Sequence, residues 1–219
     1  MHATSEALAA VGPYDGQLQR PAEAVAADLE SFVLLLRKWQ RIQNLVSRET
    51  LDDVWIRHIA DSLQLLPYFR PDDRIIIDLG SGGGLPAIPL AIALKSSGVT
   101  IHCIESNGRK VSFLRSVARD LDLNVEVHAI RAEQSDVAGI APADIVMSRA
   151  MAPLGALLGL SLPLLEPGGR ALLHKGKDFE RELRESAVDF AFEVVVNASL
   201  TDRSGVILQI ENLKRREGS

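Results

Sequence analysis

The chain has 219 residues, 47% hydrophobic and 24% charged, the balance of an ordinary globular domain, which excludes collagen-like and wholly disordered classes. Twenty-nine acids against 24 bases give a net charge of −5, which argues against coating nucleic acid by bulk charge but leaves room for a local basic face. The single cysteine, Cys103, forms no intramolecular disulfide, and no CxxC or clustered His/Cys spacing offers a zinc site, so a reducing, cytoplasmic setting and no metal are expected.

Residues 1–20 are Ala/Gly/Pro-rich without a sustained period and are expected to form a flexible tail; Glu6 and Asp15 interrupt what a secretory signal requires. From Pro21 a helical stripe runs through Val25, Leu29, Phe32, Val33, Leu36 and Trp39. A second helix is expected over 50–66, with Leu51, Val54, Trp55, Ile59, Leu63 and Leu66 on one side. Residues 21–70 thus read as an N-terminal helical extension. From 71 to 213 strands alternate with helices, the signature of a parallel sheet with right-handed crossovers. Strands are expected over 74–79, 100–105, 125–129, 143–147 and 169–174, and helices over 86–96, 107–122, 153–165 and 178–188. The uncharged stretch 150–165 is broken by Pro153 and Pro163 and falls short of the roughly 20 apolar residues of a membrane span. Segments 192–196 and 206–211 read as a β-hairpin, and 214–219 as a basic tail. This mostly parallel α/β sheet with a C-terminal antiparallel hairpin resembles the Rossmann-like, class I S-adenosylmethionine-dependent methyltransferases.

The first strand, nearly all apolar as a central strand must be, runs into Gly80-Ser81-Gly82-Gly83-Gly84 and then Leu85-Pro86. Glycines there let a ligand lie directly against the backbone. The third glycine of a dinucleotide fingerprint is replaced by Leu85. Asp78, at the strand end, would repel a pyrophosphate but suits an ammonium and a sulfonium, and S-adenosyl-L-methionine carries both. Glu105 is placed to accept both ribose hydroxyls, and Arg131-Ala132-Glu133 to hold the adenine. The plainer alternatives are a βα turn that binds nothing and, for Glu105, a solvated strand-end acid.

Residues after the fourth strand face the transferred methyl in this fold class, which makes Met147-Ser148-Arg149-Ala150 informative. It lacks the Asn/Asp-Pro-Pro-aromatic string of exocyclic-amine enzymes. Cys103 lies inside the second strand, where a small buried hydrophobe is the simpler reading than a nucleophile. An acceptor needing neither base nor covalent intermediate is favoured, and guanine N7 is one, attacking by direct in-line displacement. Arg149 is placed to align cofactor or base, since arginine pairs with guanine O6; the alternative is a surface salt bridge. Residues 37–48 carry Arg37, Lys38, Arg41 and Arg48 for a net +4, and residues 105–119 carry Arg109, Lys110, Arg115 and Arg119 against Glu105 for +3. Lys175, Lys177 and Lys214-Arg215-Arg216 add to this basic face, while residues 1–36 hold a net −4. A polyanionic substrate fits that distribution, although any single cluster also fits a solvated helix face.

Over half of the chain, residues 44–176, resembles the RsmG (GidB) family of bacterial 16S rRNA methyltransferases. The matching strings are Asn44-Leu45, Arg57-His58-Ile59-Ala60-Asp61-Ser62-Leu63, Asp78-Leu79-Gly80-Ser81-Gly82-Gly83-Gly84-Leu85-Pro86, Lys110-Val111-Ser112-Phe113-Leu114, Arg131-Ala132-Glu133, Ser148-Arg149-Ala150 and Lys175-Gly176. The resemblance implies methylation of guanine N7 in the 530 loop, with 16S rRNA or the small ribosomal subunit as partner and S-adenosyl-L-homocysteine as product; the sequence itself gives no membrane span and no metal site, and a monomer is expected although the sequence leaves the oligomeric state open. It places Gly80, Leu85, Ala132, Glu133 and Arg149 against the cofactor, alongside Asp78, Gly82, Gly84 and Glu105 from the residue reading. It makes Arg57, His58, Arg109, Lys110 and Lys175 the candidates for substrate RNA. The sequence departs from the family pattern at Ala87, Glu105 and Ala150-Met151-Ala152-Pro153. On a helix Arg57 faces Asp61 and His58 faces Ser62, so a local structural pairing stands beside substrate contact. His2, His102, His128 and His174 are scattered and read as structural. The competing functions are a small-molecule or protein methyltransferase, a non-catalytic RNA-binding module, and, least favoured, a nicotinamide dehydrogenase.

Overall fold

A computed structural model describes residues 4–133, 140, 142–149 and 151–216. Its strands are β1 (Ile75–Leu79), β2 (Thr100–Ile104), β3 (Val125–His128), β4 (Ala143–Arg149), β5 (Leu165–Lys175), β6 (Phe190–Ala198) and β7 (Val206–Arg215). They form one seven-stranded sheet in the order β3-β2-β1-β4-β5-β7-β6. The first five run parallel, and β7 lies antiparallel to both β5 and β6. Because β1 pairs with β2 on one side and β4 on the other, the strand order reverses there, and a crevice opens at their carboxyl ends.

β1 carries Ile76, Ile77 and Leu79 with no exposed surface, as a strand covered on both faces requires. On one face the helices α2 (Ala22–Gln40), α4 (Ala87–Ala93) and α5 (Gly108–Asp120) pack Leu29, Phe32, Ile88 and Phe113 against Ile76, Cys103 and Met147. On the other, Leu154, Leu157 and Leu158 of α6 (Leu154–Ser161) meet Ala171, Leu173 and Leu208, with α7 (Phe179–Ser186) alongside. α5 starts where the Asn107 side chain accepts from the backbone N–H of Arg109 and Lys110. The helical extension is tied beneath the sheet by an ion pair: buried Arg170 reaches Asp73 at 3.0 and 2.6 Å and the Tyr68 carbonyl at 2.6 Å. That geometry satisfies both charges where water cannot. No helix among the described residues is long and apolar enough to cross a membrane.

Three expectations are corrected. Residues expected to be a flexible tail form α1 (Ser5–Val11) and a 3-10 turn over Gly12–Gln17, with Ala7, Ala10, Val11 and Tyr14 buried. Those four positions follow helical spacing, but two are alanines, whose small side chains permit close packing without announcing a stripe. The single helix expected over 50–66 is broken into a 3-10 turn at Arg48–Thr50, a π-type turn at Trp55–Ala60, the short α3 (Asp61–Leu63) and a 3-10 turn at Leu66–Tyr68. The wide turn carries His58 inward, followed by Asp61 and Ser62, all buried. The basic tail does not begin at 214, because Lys214 and Arg215 pair with Ala191 and Phe190 in the β6–β7 hairpin; residues 217–219 lie outside the described residues.

Candidate active site

β1 delivers the chain into the crevice through a turn that is nearly free of side chains. Gly80 and Gly84 have φ of +72° and +79°, a left-handed backbone that costs other residues about 1–2 kcal/mol. The N–H groups of Gly80 and Ser81 donate to the Ile104 carbonyl at 2.9 and 3.1 Å, drawing the turn over the end of β2. Glu105 fastens it further, one carboxylate oxygen accepting from Gly82 N–H at 2.9 Å and the other from Asn107 N–H at 2.7 Å.

Above this turn lies a cavity of about 620 Å³. Gly80, Gly82, Leu85, Glu105, Ala132, Glu133 and Arg149 all line it. Asp78 and Gly84, expected to touch the same ligand, stand behind its wall. A Cβ on Gly84 would approach Ile88 Cγ1 to 2.5 Å, so this glycine serves helix packing. The Asp78 carboxyl is fully buried with no hydrogen-bond partner for either oxygen among the described residues. Burial, reinforced by the nearby Glu105 charge, raises its pKa to about 7. An unpartnered buried acid behind a side-chain-free turn, a second carboxylate at the end of β2 and a polar exit from β3 fit S-adenosylmethionine. Its ammonium would be held near Asp78 and its ribose near Glu105, with Ala132 and Glu133 beside the adenine.

The outer wall joins residues to which the sequence assigns no role, Gln40, Val46 and Thr50 among them, to His58 and Arg149, which it does single out. Gln40, at the end of α2, accepts through Oε1 from Leu45 and Val46 N–H at 2.8 and 3.1 Å and donates through Nε2 to the Val46 carbonyl at 2.8 Å. Leu45 is thereby pressed onto the glycine turn, where its carbonyl lies 3.0 Å from where a Cβ on Gly83 would stand. Thr50, His58 and Arg149 continue this wall.

Arg149, expected to grip cofactor or guanine, has every guanidinium nitrogen engaged by protein. Nε meets Asp61 at 3.0 Å, Nη1 donates to His58 Nδ1 at 3.2 Å and Nη2 to the Arg57 carbonyl at 2.8 Å. Because an arginine only donates, His58 Nδ1 accepts and its proton sits on Nε2, 2.9 Å from Thr50 Oγ1. Burial, with Arg149 beside it, pushes the His58 pKa down to about 4. Asp61 is the centre of this brace, accepting also from Gln64 and from the Thr201 hydroxyl, while its carbonyl meets His174 Nε2 at 3.0 Å. The local Arg57–Asp61 pairing is therefore replaced by long-range partners, Arg57 reaching Asp202 at 3.2 Å. Ser62 Oγ donates to the His58 carbonyl instead of meeting its ring.

The RNA candidates divide. Lys110 lines the large cavity and Arg109 is exposed beside it. Gln43 Nε2 donates to the Arg109 carbonyl at 3.1 Å, which brings the basic end of α2, with Arg37, Lys38 and Arg41 exposed, against the basic start of α5. Lys175 is withdrawn: its ammonium pairs with Glu182 at 2.7 Å and donates to the Ala152 carbonyl at 3.1 Å, leaving the side chain 9% exposed. His58 is buried in the brace. Arg57, Lys175 and Lys177 border a second cavity of about 350 Å³, which shares Arg149 with the first.

Comparison with known proteins shows the family of the chain. The GidB family, described as rRNA small subunit methyltransferase G, matches residues 25–210. The ribosomal RNA small subunit methyltransferase G of Granulibacter bethesdensis is 46% identical over 181 residues, 83% of this chain and 82% of that protein. The same enzyme of Rhodospirillum centenum is 45% identical over 189 residues, 86% of this chain and 84% of the relative. Among solved structures, M. jannaschii TYW2 in complex with AdoMet superposes with a TM-score of 0.55 at 14% identity, covering 80% of each chain, a likeness of fold alone. The chain belongs to the GidB family of S-adenosylmethionine-dependent small-subunit ribosomal RNA methyltransferases.

Proposed function

We propose that this enzyme methylates guanine N7 in the 530 loop of 16S rRNA by direct in-line displacement. The observation that carries this reading is that His58 and Arg149, the two candidate groups where the head of β4 meets the large cavity, are both committed to protein partners. Both His58 nitrogens and all three Arg149 nitrogens are bound. Cys103 is buried inside β2, and burial drives its thiol pKa upward. A ring nitrogen with an in-plane lone pair loses no proton on attack, so alignment is what the protein must provide. Bound S-adenosylmethionine supplies the electrophilic methyl group. The brace on Arg149 holds the shared wall of the two cavities rigid, and the carboxyls of Asp78 and Glu105 set a negative field against a delocalised cation. The joined basic ends of α2 and α5 suit the RNA backbone. Purified enzyme with methyl-labelled cofactor is expected to label small-subunit RNA lacking the modification, with activity falling steeply between 50 and 200 mM salt; salt-independent labelling of a small molecule instead would support the competing reading.

The buried acid gives this reading a pH signature. An ionised Asp78 favours a ligand ammonium, and below about pH 7 protonation competes with that attraction. Calorimetric affinity for S-adenosylhomocysteine is expected to be about tenfold weaker at pH 6 than at pH 8. Asp78→Asn should flatten that dependence, and a flat profile in the wild type would remove Asp78 from the ligand's field.

A further inference from the structure

Far apart in sequence, two histidines and a glutamate meet on the outer strands of the sheet. Glu126 and His128 alternate with Val127 on β3, so both project from one face. The β2–β3 register sets His102 opposite Glu126 and Ile104 opposite His128, placing His102 on that same face. His102 Nδ1 lies 3.0 Å from His128 Nε2, with Glu126 Oε2 at 3.6 Å from the first and 3.9 Å from the second. The imidazoles are largely sheltered, their side chains 12% and 26% exposed, whereas the carboxylate opens to solvent.

We propose that His102, Glu126 and His128 form a binding site for a divalent transition cation of the zinc type. Two imidazoles and a carboxylate are the borderline donors such an ion selects, three protein ligands leaving a fourth position for water. Zinc–nitrogen bonds of about 2.0–2.1 Å at a tetrahedral angle hold two ligand atoms about 3.3 Å apart. The nitrogens, at 3.0 Å, must open slightly, and the carboxylate oxygen, at 3.6 and 3.9 Å, must close, most on the His128 side. Burial keeps both rings neutral, the form that ligates. One of the two rings donates the hydrogen bond between them from its near nitrogen; on metal binding its proton moves to the far nitrogen, so the ion replaces one hydrogen bond without net proton release. The site crosses the junction of the edge strand β3, whose exit leads into the cavity wall at Ile130 and Ala132. A bound ion would therefore pin that strand to β2.

Tag-free full-length protein titrated with Co2+ is expected to develop the visible bands of a four-coordinate N/O site at one equivalent, bleached by one equivalent of Zn2+. Thermal unfolding of the wild type should shift upward with Zn2+. The His102→Gln and His128→Gln variants should each lose at least tenfold in metal affinity, and Glu126→Gln less. Unchanged binding of S-adenosylhomocysteine by the variants would verify their fold. Absence of the bands and of the thermal shift in the wild type would overturn the site, as would equal binding by the double histidine variant.

Discussion

Asp61→Ala is expected to lower the stability of the enzyme by about 3–5 kcal/mol in denaturant unfolding and to abolish methyl transfer, because it strands a sheltered guanidinium. The Arg149–Asp61 pair is largely shielded from water, with the arginine side chain 21% exposed and the carboxylate 11%. The same carboxylate also receives Gln64 and Thr201, so one substitution releases β4, the segment before β1 and the β6–β7 turn together. Asp61→Asn keeps an acceptor but not the charge, and should recover part of the stability while leaving Arg149 unpaired. A variant of full stability would mean that Arg149 finds water or another acceptor, and the brace would not hold the wall. Arg149→Ala in an Asp61→Ala background should cost less than in the wild type, as coupled partners require.

The second large effect falls on the glycine turn. Gly80→Ala is expected to weaken S-adenosylhomocysteine binding about a hundredfold, or about 2.7 kcal/mol. Its φ of +72° already disfavours alanine, and the new Cβ would stand 2.7 Å from Met151 Sδ and 2.8 Å from its Cγ. Methionine is flexible and can retreat, but Met151 lines the cavity, so its displacement intrudes on the ligand. Gly82 is the control: its φ is +55°, yet the nearest atom to an added Cβ is 3.7 Å away. Gly82→Ala should therefore lose about tenfold, the strain alone. Equal losses at both positions would show that backbone strain, not Met151, sets the effect.

Much of this arrangement is legible in the sequence because it is local. The apolar run into Asp78-Leu79-Gly80, the alternation of strands and helices, and Ala132-Glu133 at the exit of β3 are encoded within a few residues, and the expected strands overlap the observed ones. What escapes is set by register and by weak local signals. α1 was hidden by alanines. The π-type turn at Trp55–Ala60 differs from an α-helix in hydrogen-bond spacing, not in composition, and it redirects Asp61 from Arg57 to Arg149 across the fold. The withdrawal of Lys175 depends on Glu182 arriving from α7. His102 and His128 looked scattered because strand pairing, not spacing, brings them to 3.0 Å.

The most direct test of the central claim is the position of the methyl group. Small-subunit RNA lacking the modification is incubated with enzyme and S-adenosylmethionine, then reduced with borohydride and cleaved with aniline, which breaks the chain at N7-methylguanine. The expected result is one new enzyme-dependent break, within the 530 loop, seen by primer extension. Methyl label entering the RNA without that break would place the group on another atom and contradict the account.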